Sequence, residues 1–115
     1  MTPVLKQTEA DFQRAVVQLA HTLHWHTAHF NDSRREVVRQ DGARFLVGDK
    51  EATGYPDLTL CRERVLWAEL KSDSGKLSKA QEEWLRVLEE ADQEVYVWRP
   101  RDFEQVQRVL TRGAV

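Results

Sequence analysis

Two carboxylates and a lysine interrupt the two most strand-like runs of the sequence. Residues 54–72 read GYPDLTLCRERVLWAELKS, with Asp57 near the start and Glu69 and Lys71 near the end. Because side chains alternate along a strand, Glu69 and Lys71 share one face. A three-residue turn over residues 62–64 makes Asp57 the antiparallel partner of Glu69, whereas a two-residue turn slips the register by one. The pattern therefore predicts a hairpin with two adjacent acids and Lys71 beside them.

Two facing acids repel each other, and their repulsion grows when they are removed from water. A proton on one acid, the charge of Lys71, or a divalent cation between the acids would compensate. A hard cation such as Mg²⁺ suits one Asp and one Glu, because it binds a few carboxylate oxygens and retains several waters. The alternative is that Glu69 and Lys71 form a solvated ion pair on an edge strand.

Two further polar side chains lie on the apolar stripes of predicted helices. Ser78 and Gln81 have the spacing of a capping box, and Gln81 lies on the apolar stripe of the helix that follows. Glu9 lies on the apolar stripe of the N-terminal helix, and we expect both side chains to face inward. Together with Asp57 and Glu69, they indicate the rim of one polar pocket.

The rest of the chain supplies the elements that position these residues. The pattern predicts a helix over 9–24, a strand over 25–30, a hairpin over 55–61 and 65–71, a helix over 78–91, a strand over 94–98 and a helix over 102–110. Residues 31–54 are polar and irregular apart from ARFLV at 43–47, and so long a connection is usually functional or disordered. The predicted fold class is α/β, a small mixed β-sheet flanked by helices.

Composition limits the class of protein. The 115 residues, 41% of them hydrophobic, fit one domain over 1–115. The formal net charge of −2 means that any phosphate-binding surface must be local. The single Cys61 excludes an intramolecular disulfide, and no apolar run approaches a membrane span or a signal peptide. We therefore expect a cytoplasmic protein without a membrane partner.

Four histidines between residues 21 and 29 raise the alternative of a zinc site. A structural zinc site usually requires a closed set of four ligands, and alternation along the strand places His26 and His29 on opposite faces. We interpret the histidines His21, His24, His26 and His29 as ordinary polar positions, with His29 of interest because it precedes the long loop.

The stretch GYPDLTLCRERVLWAELKSDSGKLSKAQEEWL resembles the VRR-NUC (virus-type replication-repair nuclease) family of the PD-(D/E)xK nuclease superfamily. G-x-P-D, a hairpin, E-x-K and a downstream Ser-x-x-Gln occur in the family's order, and TEADFQRAVVQLA resembles the family's opening helix. The resemblance implies a restriction-endonuclease-like core with Mg²⁺ or Mn²⁺ as the metal. It implies Asp57, Glu69 and the carbonyl of Leu70 as metal ligands, Lys71 as the catalytic lysine, Glu9 as an acid that assists at the metal, and Gln81 beside it.

The resemblance also implies a DNA endonuclease of replication, repair or recombination. Small members are similar to Holliday-junction resolvases that act as homodimers, which makes branched DNA the expected partner. Basic residues that could contact phosphate are Arg34, Arg35, Arg39, Arg44, Lys50, Lys76 and Lys79. The alternatives are that these charges only aid solubility, that the chain is a non-catalytic nucleic-acid-binding module, or that it is an exonuclease or a partner-dependent nuclease.

Overall fold

The structure is a computed structural model that describes residues 7–30, 35–47 and 51–113. The elements are α1 (Glu9–Thr22), β1 (His26–His29), β2 (Arg35–Val38), β3 (Arg44–Val47), β4 (Leu58–Cys61), β5 (Val65–Leu70), α2 (Lys79–Glu90), β6 (Glu94–Trp98), a 3₁₀ turn (Pro100–Asp102) and α3 (Phe103–Thr111). Every predicted helix and strand is present, and boundaries differ by a few residues. None of the helices in the described ranges is long and apolar enough to cross a membrane.

One four-stranded sheet organises the chain, with the strand order β1-β4-β5-β6. β4 pairs antiparallel with β1 and β5, whereas β5 pairs parallel with β6. A parallel pair requires a crossover connection, which α2 provides. The sheet is therefore mixed and flanked by helices, which confirms the predicted α/β fold class.

The central strand β5 separates two unlike faces of the sheet. Its Leu66, Ala68 and Leu70 are fully buried in a core to which α1 and α3 contribute. Its other face carries Trp67 and Glu69 toward α2, a helix without a fully buried residue. The acids thus lie on the more thinly covered face of the sheet.

The core consists of the following side chains: Phe12, Val16, Ala20, Trp25, Leu58, Leu60, Leu66, Ala68, Leu70, Trp98, Val106, Val109 and Leu110.

The long connection between β1 and β4 contains a second, two-stranded sheet, β2 with β3, which differs from the predicted irregular loop. Asp41 and Gly42 make its turn, since the Asp41 carboxylate accepts a hydrogen bond from the Ala43 N–H at 2.9 Å and Gly42 has φ +87°. Asp-Gly is a strong hairpin signal. The sequence therefore contained the information for this hairpin, which the polar composition of the stretch obscured.

The turn between β4 and β5 lacks glycine and is held by two arginines. The guanidinium groups of Arg62 and Arg64 lie 4.6 and 5.1 Å from the Trp25 ring centroid. Arg62 donates to the carbonyl of Leu23 at 2.9 Å, and Arg64 donates to the carbonyl of Val109 at 2.8 Å. These carbonyls lie at the C-terminal ends of α1 and α3, where helices lack internal donors. The turn therefore fastens the hairpin to both helices.

Candidate active site

The hairpin register places the acids as the sequence predicts. Leu58 pairs with Ala68, and Thr59 pairs with Trp67, so the next position along brings Asp57 opposite Glu69. Asp57 precedes β4, and its backbone carbonyl accepts from Phe30 N–H at 2.8 Å. Its Oδ2 accepts from the backbone N–H of Leu70 at 2.9 Å. This bond fixes the Asp57 carboxylate against the end of β5.

Glu69 is the only charged side chain in the buried core of the described residues, with 1% of its surface exposed. Its Oε1 accepts a hydrogen bond from Gln81 Nε2 at 3.2 Å. Its Oε2 accepts none from the described residues. Burial, followed by the neighbouring Asp57 carboxyl, raises the pKa of Glu69 to about 9. Glu69 therefore holds a proton at neutral pH unless a cation replaces it.

Lys71 lies next to the acids, at the start of the loop that follows β5. Its positive charge acts to lower the pKa of Glu69, although burial and Asp57 outweigh it. Its backbone N–H donates to the carbonyl of Trp98 at 3.0 Å. Arg99 fastens the loop, because its Nη1 donates to the carbonyls of Ser72 and Gly75, each at 2.6 Å. The loop that carries the lysine is therefore braced by the end of β6.

Gln81 joins the acids to α2. The capping box is present: Ser78 Oγ accepts from Gln81 N–H at 3.1 Å, and Gln81 Oε1 accepts from Ser78 N–H at 2.8 Å. Gly54 lies against the same helix start, where an added Cβ would be 2.6 Å from the Ala80 carbonyl oxygen. Its φ of +85° also favours glycine. Because Gly54 lies directly against the start of α2, the segment that carries Asp57 lies close to Gln81.

The chemistry of this arrangement fits a hard divalent cation. The residues of 7–30, 35–47 and 51–113 contain no cluster of three His, Cys, Asp or Glu side chains able to hold a metal ion. A metal ion at these residues would therefore have to be held by fewer than three such side chains, as by the pair Asp57 and Glu69. Mg²⁺ is commonly held by one or two carboxylates while it retains waters. The Oε2 of Glu69 accepts no hydrogen bond from the described residues, which is compatible with such a cation.

The other predicted site residues lie farther out. Glu9, the first residue of α1, is exposed, and its carboxylate acts to raise the pKa of Glu69. Lys76 and Lys79 are exposed on either side of Ser78. Ser78 lines a cleft that contains Asp57, which we call the acidic cleft. Arg39 and Arg44 are exposed on the β2–β3 hairpin, and the backbone of Arg35 lies in β2. Arg34 and Lys50 lie outside the described residues.

The sequence did not single out three features of the site. Gly54 belongs to the quoted motif, and its contact with α2 arises only in the folded chain. Arg99 lies 27 residues beyond Ser72, so no local spacing joins them. Phe30, Tyr55 and Gln81 help to enclose a cleft of ≈ 200 Å³ that contains Asp57, and the aromatic residues were predicted only as parts of strands.

A family model matches most of the chain. The model described as the VRR-NUC domain matches residues 7–102, which span α1 to the 3₁₀ turn and include the whole hairpin with its acids. No curated protein and no solved structure matches the chain. Because the match covers most of the chain, this protein is a member of the VRR-NUC family and contains a nuclease-type domain.

Proposed function

We propose that the protein is a Mg²⁺-dependent endonuclease that hydrolyses DNA phosphodiester bonds at Asp57, Glu69 and Lys71. The observation that carries the proposal is the buried Glu69 carboxyl directly opposite the Asp57 carboxyl, with one oxygen that accepts no hydrogen bond from the described residues. Two carboxyls that face each other away from water cannot both ionise without a compensating charge, and keeping them there is costly to a fold. A divalent cation between the two carboxylates would relieve that cost and would explain why two acids face each other at this position.

Asp57, Glu69 and the carbonyl of Leu70 are the groups proposed to hold the metal. A residue in an antiparallel ladder directs its N–H and C=O to the same neighbouring strand. The Leu70 N–H reaches Asp57, so its carbonyl is directed to the same edge of β5. Continuing the register places Pro56 opposite Leu70, and proline has no N–H to donate. Asp57 thus provides a carboxylate, and Pro56 leaves the Leu70 carbonyl without a backbone donor and available to a metal.

When bound, Mg²⁺ lowers the pKa of a coordinated water and offsets the negative charge that develops on the phosphate. Lys71 provides a fixed positive charge beside the acids, suited to orienting the attacking water and to stabilising the pentavalent phosphate. Gln81 donates a hydrogen bond to one oxygen of the Glu69 carboxyl, and the other oxygen accepts none from the described residues. We assign Glu9 only an electrostatic influence at the rim, since its side chain is exposed.

Lys76 and Lys79 are proposed to bind the DNA backbone on the side of the cleft formed by α2. Both are exposed, and they flank Ser78 at the mouth of the acidic cleft. The logarithm of the binding constant falls linearly with the logarithm of the salt concentration, and each phosphate contact that is lost should reduce the magnitude of this slope by about one. A salt titration of DNA binding by Lys76→Glu and Lys79→Glu measures this contribution. The same titration of Arg39→Glu and Arg44→Glu tests whether the β2–β3 hairpin contacts DNA.

Selectivity for branched DNA and action as a homodimer follow as parts of the same proposal. Family membership supports both the selectivity and the dimer. The acid pair Asp57 and Glu69 also supports the dimer, because it provides one site in each chain. Cutting two strands of a four-way junction symmetrically requires two sites, which a twofold dimer provides. Paired nicks in a junction and a dimer mass in solution are the expected results.

The decisive experiment incubates the protein with labelled linear, flap and four-way-junction DNA in Mg²⁺, Mn²⁺ or EDTA. Asp57→Asn, Glu69→Gln and Lys71→Met should each abolish cleavage while retaining the fold, and Glu104→Gln, an exposed acid on α3, should cleave normally. Cleavage in EDTA, or full activity of Lys71→Met, would overturn the proposal. DNA binding without any cleavage would identify a non-catalytic module, and cleavage only from strand ends would identify an exonuclease.

A further inference from the structure

A second cavity, of ≈ 530 Å³, opens beside the acidic cleft. Its wall includes Phe30, Tyr55 and Trp84, together with His29 and Thr59, and we call it the aromatic cavity. Phe30 and Tyr55 also line the cleft that contains Asp57. The two cavities are therefore neighbours that share part of their walls.

The rings of the aromatic cavity are held in place. Tyr55 packs edge-to-face against Phe30 and against Trp84, with ring centroids 5.0 Å apart in both pairs. The Tyr55 hydroxyl accepts a hydrogen bond from Trp67 Nε1 at 2.8 Å, and Trp84 Nε1 donates to the Glu51 carbonyl at 3.2 Å. All three rings are only half-buried, so part of each remains open to a ligand. The surface is thus formed before anything binds.

The chemistry of the cavity favours a flat, uncharged ligand. Its described lining contains no lysine or arginine, and the exposed Glu51 contributes the one carboxylate, so a phosphate would find no counter-charge there. The cavity's size is that of a small-molecule site. Aromatic side chains stack on nucleobases, each of which has a π-face. In DNA whose phosphate is held by a cation at Asp57 and Glu69, the base of a neighbouring nucleotide matches this description.

We propose that the aromatic cavity receives an unpaired base of the DNA whose phosphodiester lies at Asp57 and Glu69, an inference that rests on the proposed nuclease function. A base inside a continuous duplex is paired and stacked, and its extraction costs free energy. A base in a single-stranded fork arm, or at the crossing of a junction, is released more easily. The cavity would therefore select DNA that is unpaired next to the scissile phosphate.

The test compares two forked DNAs that carry the same phosphates. In one the unpaired arms are normal nucleotides, and in the other they are abasic. Binding is measured in Mg²⁺ with Lys71→Met in the background of every protein, including the one called wild type, so that the cation is present at the acids and cleavage does not interfere. The wild-type protein should bind the abasic fork about fivefold to a hundredfold more weakly, the range expected for one stacked base. Trp84→Ala should bind both forks equally, and Trp84→Phe should restore part of the difference.

Val87→Ala is the matched control, because Val87 is 43% exposed on the same helix and does not line the aromatic cavity. Urea midpoints establish that each variant is folded, and Phe30→Leu provides a second variant should Trp84→Ala unfold. Equal binding of the two forks by the wild-type protein, or an unchanged ratio in both cavity variants, would overturn the inference. Base-dependent binding without Mg²⁺-dependent cleavage would overturn the proposed function alone, whereas cleavage without base dependence would overturn the cavity assignment alone.

Discussion

Glu69 should make the metal-free protein less stable as the pH rises. Its pKa is raised from 4.5 to about 9 by burial and by the Asp57 carboxyl. Between these values the folded protein retains a proton that the unfolded chain has lost. The contribution of Glu69 to the free energy of unfolding is therefore complete below about pH 4.5 and is lost as the pH rises toward about 9.

The size of the effect follows from the linkage slope. One proton retained only by the folded state changes the free energy of unfolding by about 1.4 kcal/mol per pH unit. From about pH 5.5 to about pH 8, within the window, the loss is about 3 kcal/mol. This is a large part of the about 5–15 kcal/mol that stabilises a typical domain. It corresponds to a decrease of about 1–3 M in the urea midpoint.

Urea denaturation at several pH values in EDTA measures this loss, and Glu69→Gln is the matched control. The glutamine keeps an oxygen for the Gln81 amide and cannot titrate, so histidine effects common to both proteins cancel in the difference. Added Mg²⁺ at about pH 8 should restore the wild-type midpoint, because ligand that binds only the folded state stabilises it. An equal pH slope in Glu69→Gln, or an equal gain with Mg²⁺, would refute the buried, cation-linked carboxyl.

Three further substitutions test the supports of the fold and the site, and two of them are compared with a control substitution. Gly54→Ala should lower the free energy of unfolding by about 2–5 kcal/mol in urea denaturation, since it combines a positive φ with a collision against α2. Gly42→Ala, with φ +87° and nothing within 4 Å, should lose no more than about 2 kcal/mol. Arg64→Ala should lose about 2–4 kcal/mol because it leaves the part-buried Val109 carbonyl and Glu94 carboxylate without this donor, whereas the exposed Arg86→Ala should lose less than about 1 kcal/mol. Arg99→Ala should reduce the single-turnover cleavage rate about ten- to a hundredfold by loosening the loop after β5, with little change in DNA affinity.

The hairpin and its acids were predictable because one-residue slips are strongly disfavoured. A shift of register would expose Leu58 and Leu60 and bury their polar neighbours, so the apolar pattern alone determines that Asp57 meets Glu69. The capping box was predictable for a similar reason, since Ser78 and Gln81 satisfy each other locally.

Features that depend on contacts distant in sequence were not predictable in this way. The Arg99 clamp joins β6 to the loop after β5, and the aromatic cavity forms only when Trp84 meets Tyr55. The exposure of Glu9 was not predictable either, because a helical stripe says little about the first residue of a helix. The β2–β3 hairpin was missed although its Asp-Gly turn is a local signal.

Gln81 shows how stability and site geometry are joined in this fold. Its amide oxygen closes the capping box of α2, and its amide nitrogen binds the Glu69 carboxyl. The carboxyl needs a donor that cannot itself become an anion, and the capping box accepts Glu as readily as Gln. A glutamate at position 81 would satisfy the helix and place a third carboxylate beside Asp57 and Glu69. The choice of glutamine therefore follows from the acid pair rather than from the helix.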